Sequence, residues 1–247
     1  MPQFADDLFL GPAAVYAGGQ GPLALLPNGS IDTEPSPMEV GFGPLGRIYV
    51  FDITPATLST TKVVTTQAVA GAGAVTLTGS ATSVTLDRTG RCLQYVSSDA
   101  SDTTQTVTVT GTDMYNQTMT ETKTLNGTTP VVGLKAFYTV TGVTASGVMT
   151  GTLSVGTRDV FGFPVRATNV AYIASVKWDA TLASNAGTFT AADATTASAT
   201  TGDVRGTFAQ AGNAADGTRR LVIGVMLTGL QVGPNATRAG AFGVTQA

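Results

Sequence analysis

A chain of 247 residues is long enough to bury a sizeable core, in one large domain or two smaller ones, without disulfide staples. Only 12% of the residues are charged, and 13 basic against 16 acidic residues give a net charge of −3. This balance lacks the basic footprint of a nucleic-acid-binding protein. Thr and Val are abundant and the strong helix formers are scarce, which favours strands over long helices.

Residues 1–46 form the first predicted element, an extended and irregular N-terminal arm. Gly and Pro pairs such as Gly11-Pro12 and Gly43-Pro44 interrupt any helix or strand every few residues. Apolar side chains nevertheless recur along the arm, which is not typical of a solvated tail. We expect these side chains to anchor the arm on its own β domain or on a neighbouring subunit, and the tentative partner-binding residues are Phe4, Leu8, Phe9, Leu10, Tyr16, Leu25, Leu26 and Phe42.

Strand signals begin at Arg47 and recur at short spacing with turn residues between them, a pattern typical of a β-sandwich or barrel. Thr106–Thr110 alternates Thr and Val, which indicates one packed and one wet face. Thr118–Leu125 alternates likewise, and Asn126-Gly127 can supply a tight turn after this edge strand. The predicted strands in this part are 47–53, 75–78, 84–86, 92–96, 106–110, 119–125, 136–141 and 149–155.

The C-terminal part carries two further strand patterns. Val170–Trp178 places Val170, Tyr172, Ala174, Val176 and Trp178 on one side, so the single Trp is predicted to be a core or interface anchor. Residues 191–201 are an Ala/Thr-rich loop or exposed hairpin, and Asp216-Gly217-Thr218 leads into the apolar strand 221–227. The pattern breaks near Gly162–Arg166. We therefore predict an all-β fold, an antiparallel sandwich or barrel of jelly-roll or immunoglobulin-like type, with an arm (1–46), a β-sandwich domain (47–164) and a second β segment or domain (165–247).

The residue types needed for common catalytic sites are missing. The chain has no His and one Cys, which removes His-dependent triads and thiolate metal clusters, and Cys92 is expected to be a small buried hydrophobe. Asp99, Asp102 and Asp113 lack the spacing of a calcium loop. We expect no enzyme activity, no metal and no cofactor. A carboxylate-dependent glycan hydrolase is the lowest-ranked alternative, and its acids would come from Glu34, Glu39, Asp113, Glu121, Asp159, Asp193 and Asp203.

Targeting signals are also missing from the sequence. The first residues lack the basic and apolar regions of a signal peptide, and no segment has the roughly eighteen apolar residues of a membrane span. We therefore expect synthesis and assembly in a cytoplasm, with no membrane partner.

Several stretches resemble virion proteins of tailed bacteriophages: VTVTGTDMYNQTMTETKTLNGTTPV (107–131), GTLSVGTRDVFGFP (151–164), TGDVRGT (201–207) and DGTRRL (216–221). The resemblance implies a non-enzymatic component that binds other virion subunits.

Within that class, a capsid decoration or cement protein fits best, because an N-terminal arm can strap adjacent capsomers while a β body sits on the lattice. The expected partners are the major capsid protein and copies of the chain itself, as a homotrimer, in a virion assembled in the host cytoplasm. A neck, tail or fibre subunit is the first alternative. The second is a carbohydrate-binding host-attachment module, although Trp178 and Tyr172 lie on an apolar strand face and not in an evident binding loop.

Overall fold

The computed structural model describes residues 46–170, 173–179, 181–182, 187–193, 195–228 and 246, without the side chains of 46–49, 181–182 and 226–228. Fifteen strands lie within these residues, all the strand pairings described there are antiparallel, and the sheets include a curled half-barrel. The prediction of an all-β antiparallel sandwich or barrel is therefore confirmed. The only helical element in the described residues is a single 3-10 turn at Thr78–Ser80.

The strands follow one another along the chain as β1 (Gly46–Ile53), β2 (Val64–Ala68), β3 (Gly73–Val75), β4 (Val84–Thr85), β5 (Arg91–Ser97), β6 (Thr106–Thr112), β7 (Thr118–Thr124), β8 (Val131–Phe137), β9 (Thr139–Ala145), β10 (Thr152–Gly162), β11 (Ile173–Trp178), β12 (Thr181–Leu182), β13 (Gly187–Thr190), β14 (Thr207–Gln210) and β15 (Leu221–Thr228).

These strands form three sheets. Sheet 1 has the order β1-β15-β11-β12 and joins the beginning of the described chain to its end. Sheet 2 has the order β13-β14-β10-β5-β8, with β2 also paired to β10. Sheet 3 has the order β3-β9-β6-β7, with β4 also paired to β9. Sheet 2 lies at the centre of the molecule because it contributes side chains to both hydrophobic cores.

The first core fills the space between sheets 2 and 3, and the second packs sheet 1 against the other end of sheet 2. Leu93 and Val155 of sheet 2 meet Val109 and Met119 of sheet 3, all fully buried. In the second core, the side chains are Phe161, Phe163, Trp178, Phe208, Leu221, Ile223 and Val225. Each fully buried side chain of this size stabilises the fold by about 1.5–3 kcal/mol. Strand β10 runs through both cores and ties them together.

Regular alternation explains why many sequence predictions are confirmed. In β6, Val107 and Val109 are buried, whereas the threonines between them face outward and pair across the sheet, as in the Thr108–Thr122 hydroxyl contact of 2.8 Å. The strands predicted near 47–53, 84–86, 92–96, 106–110, 119–125 and 221–227 are all present. Trp178 is 6% exposed, which confirms a core position.

Other strand predictions were wrong or incomplete. The single strand predicted at 136–141 is two strands, since the chain crosses from sheet 2 to sheet 3 at Tyr138. The turn at Asn126-Gly127 follows β7 as predicted, with Gly127 at φ +58°, but it leads into another sheet and not into a hairpin. The register between β11 and β15 shifts between Ile173 and Ser175, which turns Ala174 outward. Strands β2, β12, β13 and β14 were not predicted because they are short and weakly apolar.

The predicted boundary near residue 164 falls where the chain passes from the first core to the second. Strand β1, assigned to segment 47–164, pairs with β15 over its whole length, and its Phe51 and Ile53 pack against the second core. The division of the chain into separately folding domains stays a prediction. The predicted arm lies outside the described residues except for Gly46, the first residue of β1.

Candidate functional site

A buried carboxylate lies at a bulge in β8, the edge strand of sheet 2. Strand β8 bulges opposite Leu93, because Cys92 pairs with Ala136 while Gln94 pairs with Val132. The bulge frees backbone N–H groups, and Glu121 Oε1 accepts those of Leu134 at 2.5 Å and Lys135 at 3.2 Å. Glu121 therefore satisfies N–H groups that the bulge leaves without a strand partner.

The Glu121 side chain lies in a polar cluster inside the body. Its Oε2 accepts the Tyr95 hydroxyl at 2.8 Å, and Lys123 Nζ lies 3.6 Å from its Oε1. Lys135 is also buried, and burial lowers the pKa of its ammonium group although Glu121 and Asp203 oppose that shift. These contacts hold Glu121 in a fixed position from several sides, which is typical of a structural carboxylate.

A second buried acid, Asp203, binds the backbone of β8 further along the strand. Its Oδ2 accepts the Ala136 N–H at 3.0 Å, and its Oδ1 accepts the N–H of Arg205 at 2.8 Å and the side-chain amide of Gln246 at 3.4 Å. Burial raises the pKa of the Asp203 carboxyl, although these donors act to lower it. The loop before β14 is thereby fastened to the edge of sheet 2.

A second buried ion pair joins the loop after β6 to the loop before β14, residues 202–206. Arg205 pairs with Asp113, and the two side chains are 4% and 0% exposed. Asp113 Oδ1 also accepts the N–H groups of Tyr115 and Gln117. The Arg205 guanidinium lies 5.1 Å from the centre of the Tyr115 ring, a cation–π contact. The Tyr115 hydroxyl donates to Pro164 O at 2.5 Å.

The remaining described candidate acids also bind the backbone. Asp159 pairs with Arg91 and accepts the Ala215 N–H, and Asp193 accepts the N–H groups of Thr195 and Gly202. The hydrogen bonds from Thr195 lower the pKa of Asp193. All five described acids considered as catalytic candidates therefore accept backbone N–H groups. Glu34 and Glu39 lie outside the described residues.

Arg91 organises a cleft of about 430 Å³ beside sheet 2. Besides Asp159 it binds Asp87 at 2.9 Å and the Ala56 carbonyl at 2.7 Å, and it stacks on Phe161 at 5.3 Å. These contacts satisfy a guanidinium that is almost entirely buried. In this cleft Arg91 holds the 54–57 loop through the Ala56 carbonyl, and its guanidinium is already bound by protein groups.

Asp102, which was considered for a calcium loop and set aside, and Cys92 are both buried. Asp102, fully buried, accepts Ser97 Oγ and the N–H groups of Thr150 and Gly151, and these hydrogen bonds outweigh burial and lower its pKa. Among the described residues, no three Cys, Asp or Glu side chains are placed to hold a metal ion. Cys92 is buried, and burial raises the pKa of its thiol.

The predicted partner-binding residues of the arm are not positioned by the structure. Phe4, Leu8, Phe9, Leu10, Tyr16, Leu25, Leu26 and Phe42 all lie outside the described residues. The role assigned to them stays a prediction. Trp178 donates its indole N–H to Asn213 O at 3.1 Å and packs on Phe161, so its ring is part of the core.

Sequence reasoning missed a groove on the outer face of sheet 2. It has a volume of about 390 Å³, and its walls include Val132, Leu134, Val160, Thr207 and Ala209. Val132 and Leu134 are 38% and 46% exposed, which is unusual for neighbouring apolar side chains on one strand face. The signal for this groove was weak, because β14 was not predicted, the predicted strand 136–141 covered only the end of β8, and the side chains of the two strands meet only in the folded sheet.

The ends of this groove differ in charge. Arg158 does not line the groove, but it lies near the Val132 end, since it donates to Gln94 Oε1 at 3.3 Å and Gln94 is the register partner of Val132. Paired residues of neighbouring strands share a sheet face. Asp193 and Asp203 line the other end. The groove is thus an apolar surface with an arginine near one end and two acids at the other, its acidic end, where the buried Lys135 interacts with both acids.

Within the described residues, no helix has the length and apolar character needed to cross a membrane. Comparisons of the chain with protein-family models, with curated proteins and with solved structures give no match, so its function has to be inferred from its residues and their geometry.

Proposed function

We propose that this chain is a non-enzymatic structural protein of a tailed-phage virion, which binds and stabilises the capsid surface as a decoration protein. The observation that carries the proposal is the use of its acids: all five described candidate carboxylates accept backbone N–H groups. Such acids hold strand edges and loops in place and are poorly placed to act on a substrate. These contacts support a scaffold role for the body, with its function in its surfaces.

The attachment of the N-terminal segment supports the same role. Residues 1–45 lead directly into β1, an edge strand of sheet 1 that is paired along its whole length with β15. A segment joined to an edge strand is held firmly at its origin and can bind elsewhere through its apolar residues. We infer that Phe4, Leu8, Phe9, Leu10, Tyr16, Leu25, Leu26 and Phe42 anchor it on the capsid lattice or on neighbouring copies.

The decisive experiment combines light scattering of the purified chain with its sedimentation together with expanded, empty phage capsids. We expect a stable trimer that sediments with capsids. Replacing Phe9 and Leu26 by Ser removes two apolar anchors and is expected to weaken capsid binding by at least about tenfold. Val148→Ser is the matched control, because Val148 is an exposed apolar residue of the body, 60% accessible.

Three outcomes would count against the proposal. Equal capsid binding by the arm variant and the intact chain would remove the arm from the contact. A chain that ignores capsids, whether as a monomer or as a larger ring, would favour a neck, tail or fibre subunit. Saturable binding to a polysaccharide in place of capsids would favour a host-attachment module.

A further inference from the structure

We infer that the groove on the outer face of sheet 2 binds residues 6–10 of the N-terminal segment of a neighbouring copy. The inference rests on the proposed function, in which that segment is an intermolecular contact. It adds the place where the segment binds and the residues that bind it. The groove offers Val132, Leu134 and Val160 as an apolar surface of a size suited to a few side chains.

Charge complementarity selects the occupant and its direction. Residues 1–45 contain five acidic residues and no Lys or Arg, so all 13 basic residues of the chain lie in 46–247. Asp6 and Asp7 immediately precede the apolar run 8–10. With the two aspartates beside Arg158, the apolar run follows the groove from Val132 towards its acidic end, where the segment carries no negative charge. The opposite direction would bring Asp6 and Asp7 close to the acids there.

Other apolar stretches of the segment fit less well. Leu23–Leu26 is as apolar as 8–10, but the nearest acidic residue, Asp32, is six residues away from it. Phe42 has Glu39 close by but is a single apolar side chain between glycines. Only residues 6–10 combine adjacent negative charge with consecutive apolar side chains. The negative charge matches Arg158, and the apolar side chains match the apolar wall of the groove.

The direction of β1 shows where the segment departs from the body. Ile53 is the end of β1 that enters the body, where Ala56 O binds Arg91 and Leu58 donates to Ala215 O. Gly46 is the opposite end, roughly 23 Å away along an eight-residue strand. The segment therefore leaves sheet 1 at the end remote from this entry point. Residues 11–45 can span roughly 115 Å when extended, which is enough to reach the groove of another copy. The choice of another copy over the same chain comes from the proposed function, and the trapping experiment tests it.

Disulfide trapping between full-length chains tests this inference without capsids. One preparation carries Leu134→Cys in the groove, a second carries Phe9→Cys in the segment, and a third carries Val148→Cys as an exposed control. The native Cys92 is buried and does not compete. We expect mixed oxidation of the first two to give a disulfide-linked heterodimer at a rate at least about tenfold above the Val148→Cys mixture.

The outcomes separate the inference from its alternatives. Equal trapping at Leu134→Cys and Val148→Cys, or none at either, would overturn it. A chain carrying both Leu134→Cys and Phe9→Cys that closes only an internal disulfide would show that its own segment occupies the groove, and would also overturn it. Because no capsid is present, this experiment can succeed or fail independently of the sedimentation test for the proposed function.

Charge reversal in the same trapping mixture tests whether the rate of disulfide formation depends on the proposed contact between Arg158 and the two aspartates. In the trapping mixture, Arg158→Glu should slow heterodimer formation by about tenfold, because it places a third carboxylate beside Asp6 and Asp7. Combining Arg158→Glu with Asp6→Lys and Asp7→Lys on the segment should restore the rate. Trapping that is indifferent to these charges would contradict the proposed direction and site.

Discussion

At the scale of single residues, the acids of this chain act as acceptors for backbone donors. A buried carboxylate costs free energy unless its oxygens are hydrogen-bonded, and here the donors are N–H groups that no strand partner satisfies. Glu121 serves the bulge of β8, and Asp102 serves the turn at Thr150 and Gly151. Each acid thus removes two unsatisfied donors and its own desolvation cost at once.

Replacement of Glu121 by Gln tests this role. Gln retains one carbonyl oxygen and introduces an NH2 group, so it cannot accept from Tyr95 and from the bulge together. We expect the free energy of unfolding to fall by about 2–4 kcal/mol, measured by urea denaturation. Thr118→Gln, at an exposed position of the same strand, is the control. A loss no larger than that of the control would show that Glu121 does not hold the bulge.

The Asp102 carboxylate predicts a pH dependence of stability. Its pKa is lowered in the folded chain, because the hydrogen bonds of Ser97, Thr150 and Gly151 favour the charged form more than burial disfavours it. A lowered folded pKa gives stabilisation that is complete above the unfolded pKa, about 4, and is lost as the pH falls through the folded pKa.

Unfolding of the intact chain and of Asp102→Asn should be compared between pH 7 and pH 2.5. We expect the intact chain to be more stable by a constant amount above about pH 5, and this advantage to shrink below about pH 4. An advantage that stays constant throughout would mean that Asp102 does not titrate as its hydrogen bonds require.

At the scale of elements, the edge of sheet 2 depends on a glycine. A Cβ at Gly133 would overlap the Oε2 atom of Glu121 and approach Leu93 O to 3.2 Å. The bulge, its glycine and the buried acid are therefore one unit: the glycine makes room for the carboxylate, and the carboxylate satisfies the N–H groups that the bulge exposes. The unit keeps the β5–β8 pairing intact on both sides of the bulge.

Gly133→Ala is expected to lower the free energy of unfolding by about 1–3 kcal/mol, because the carboxylate or the strand must shift. Gly147→Ala is the matched control, since a Cβ there would have no atom within 4 Å. The measurement is urea denaturation of both variants beside the intact chain. Equal stability of the two variants would contradict the tight fit of Glu121 against β8.

At the scale of the whole molecule, two cores share strand β10 and are linked by buried ion pairs. Leu153 and Val155 belong to the first core and Phe161 to the second. Arg205 fastens the loop before β14 to Asp113 at the end of β6, and Arg91 fastens β5 to Asp159 on β10. These links predict that the two cores unfold together.

The single Trp and the single Cys allow this prediction to be measured. Trp178 fluorescence reports the second core, and chemical labelling of Cys92 reports exposure of β5, so their urea transitions should coincide in the intact chain. Arg205→Met leaves Asp113 buried without its ion-pair partner. Both transitions should therefore move together to lower urea concentrations, and the free energy of unfolding should fall by about 3–5 kcal/mol.

Arg220→Met is the control for this variant, because Arg220 pairs with Asp52 at the surface and its loss should change the midpoint far less. Transitions that separate in the intact chain would show that the two cores unfold independently. A midpoint unchanged in Arg205→Met would show that the buried pair does not link them.

Local pattern was sufficient to predict the all-β class and many of the strands. Alternating Val and Thr in β6 and the apolar run of β15 identify strands by themselves, because side-chain period and β-branching are properties of short segments. The absence of His, the single Cys and the low fraction of charged residues are likewise properties of the sequence itself. Each of these observations involves residues that are close together along the chain or a count over its whole length.

Tertiary structure decided the rest, because the deciding contacts join residues far apart in sequence. The pairing of β1 with β15, the crossing between sheets at Tyr138 and the association of Arg205 with Asp113 leave no mark on local periodicity. The acids could be recognised as candidates from their type alone, but whether Glu121 would act on a substrate or hold the bulge of β8 depended on which donors the fold brought to it. The groove arises in the same way, since Val132, Val160 and Ala209 become neighbours only when their strands lie side by side in sheet 2.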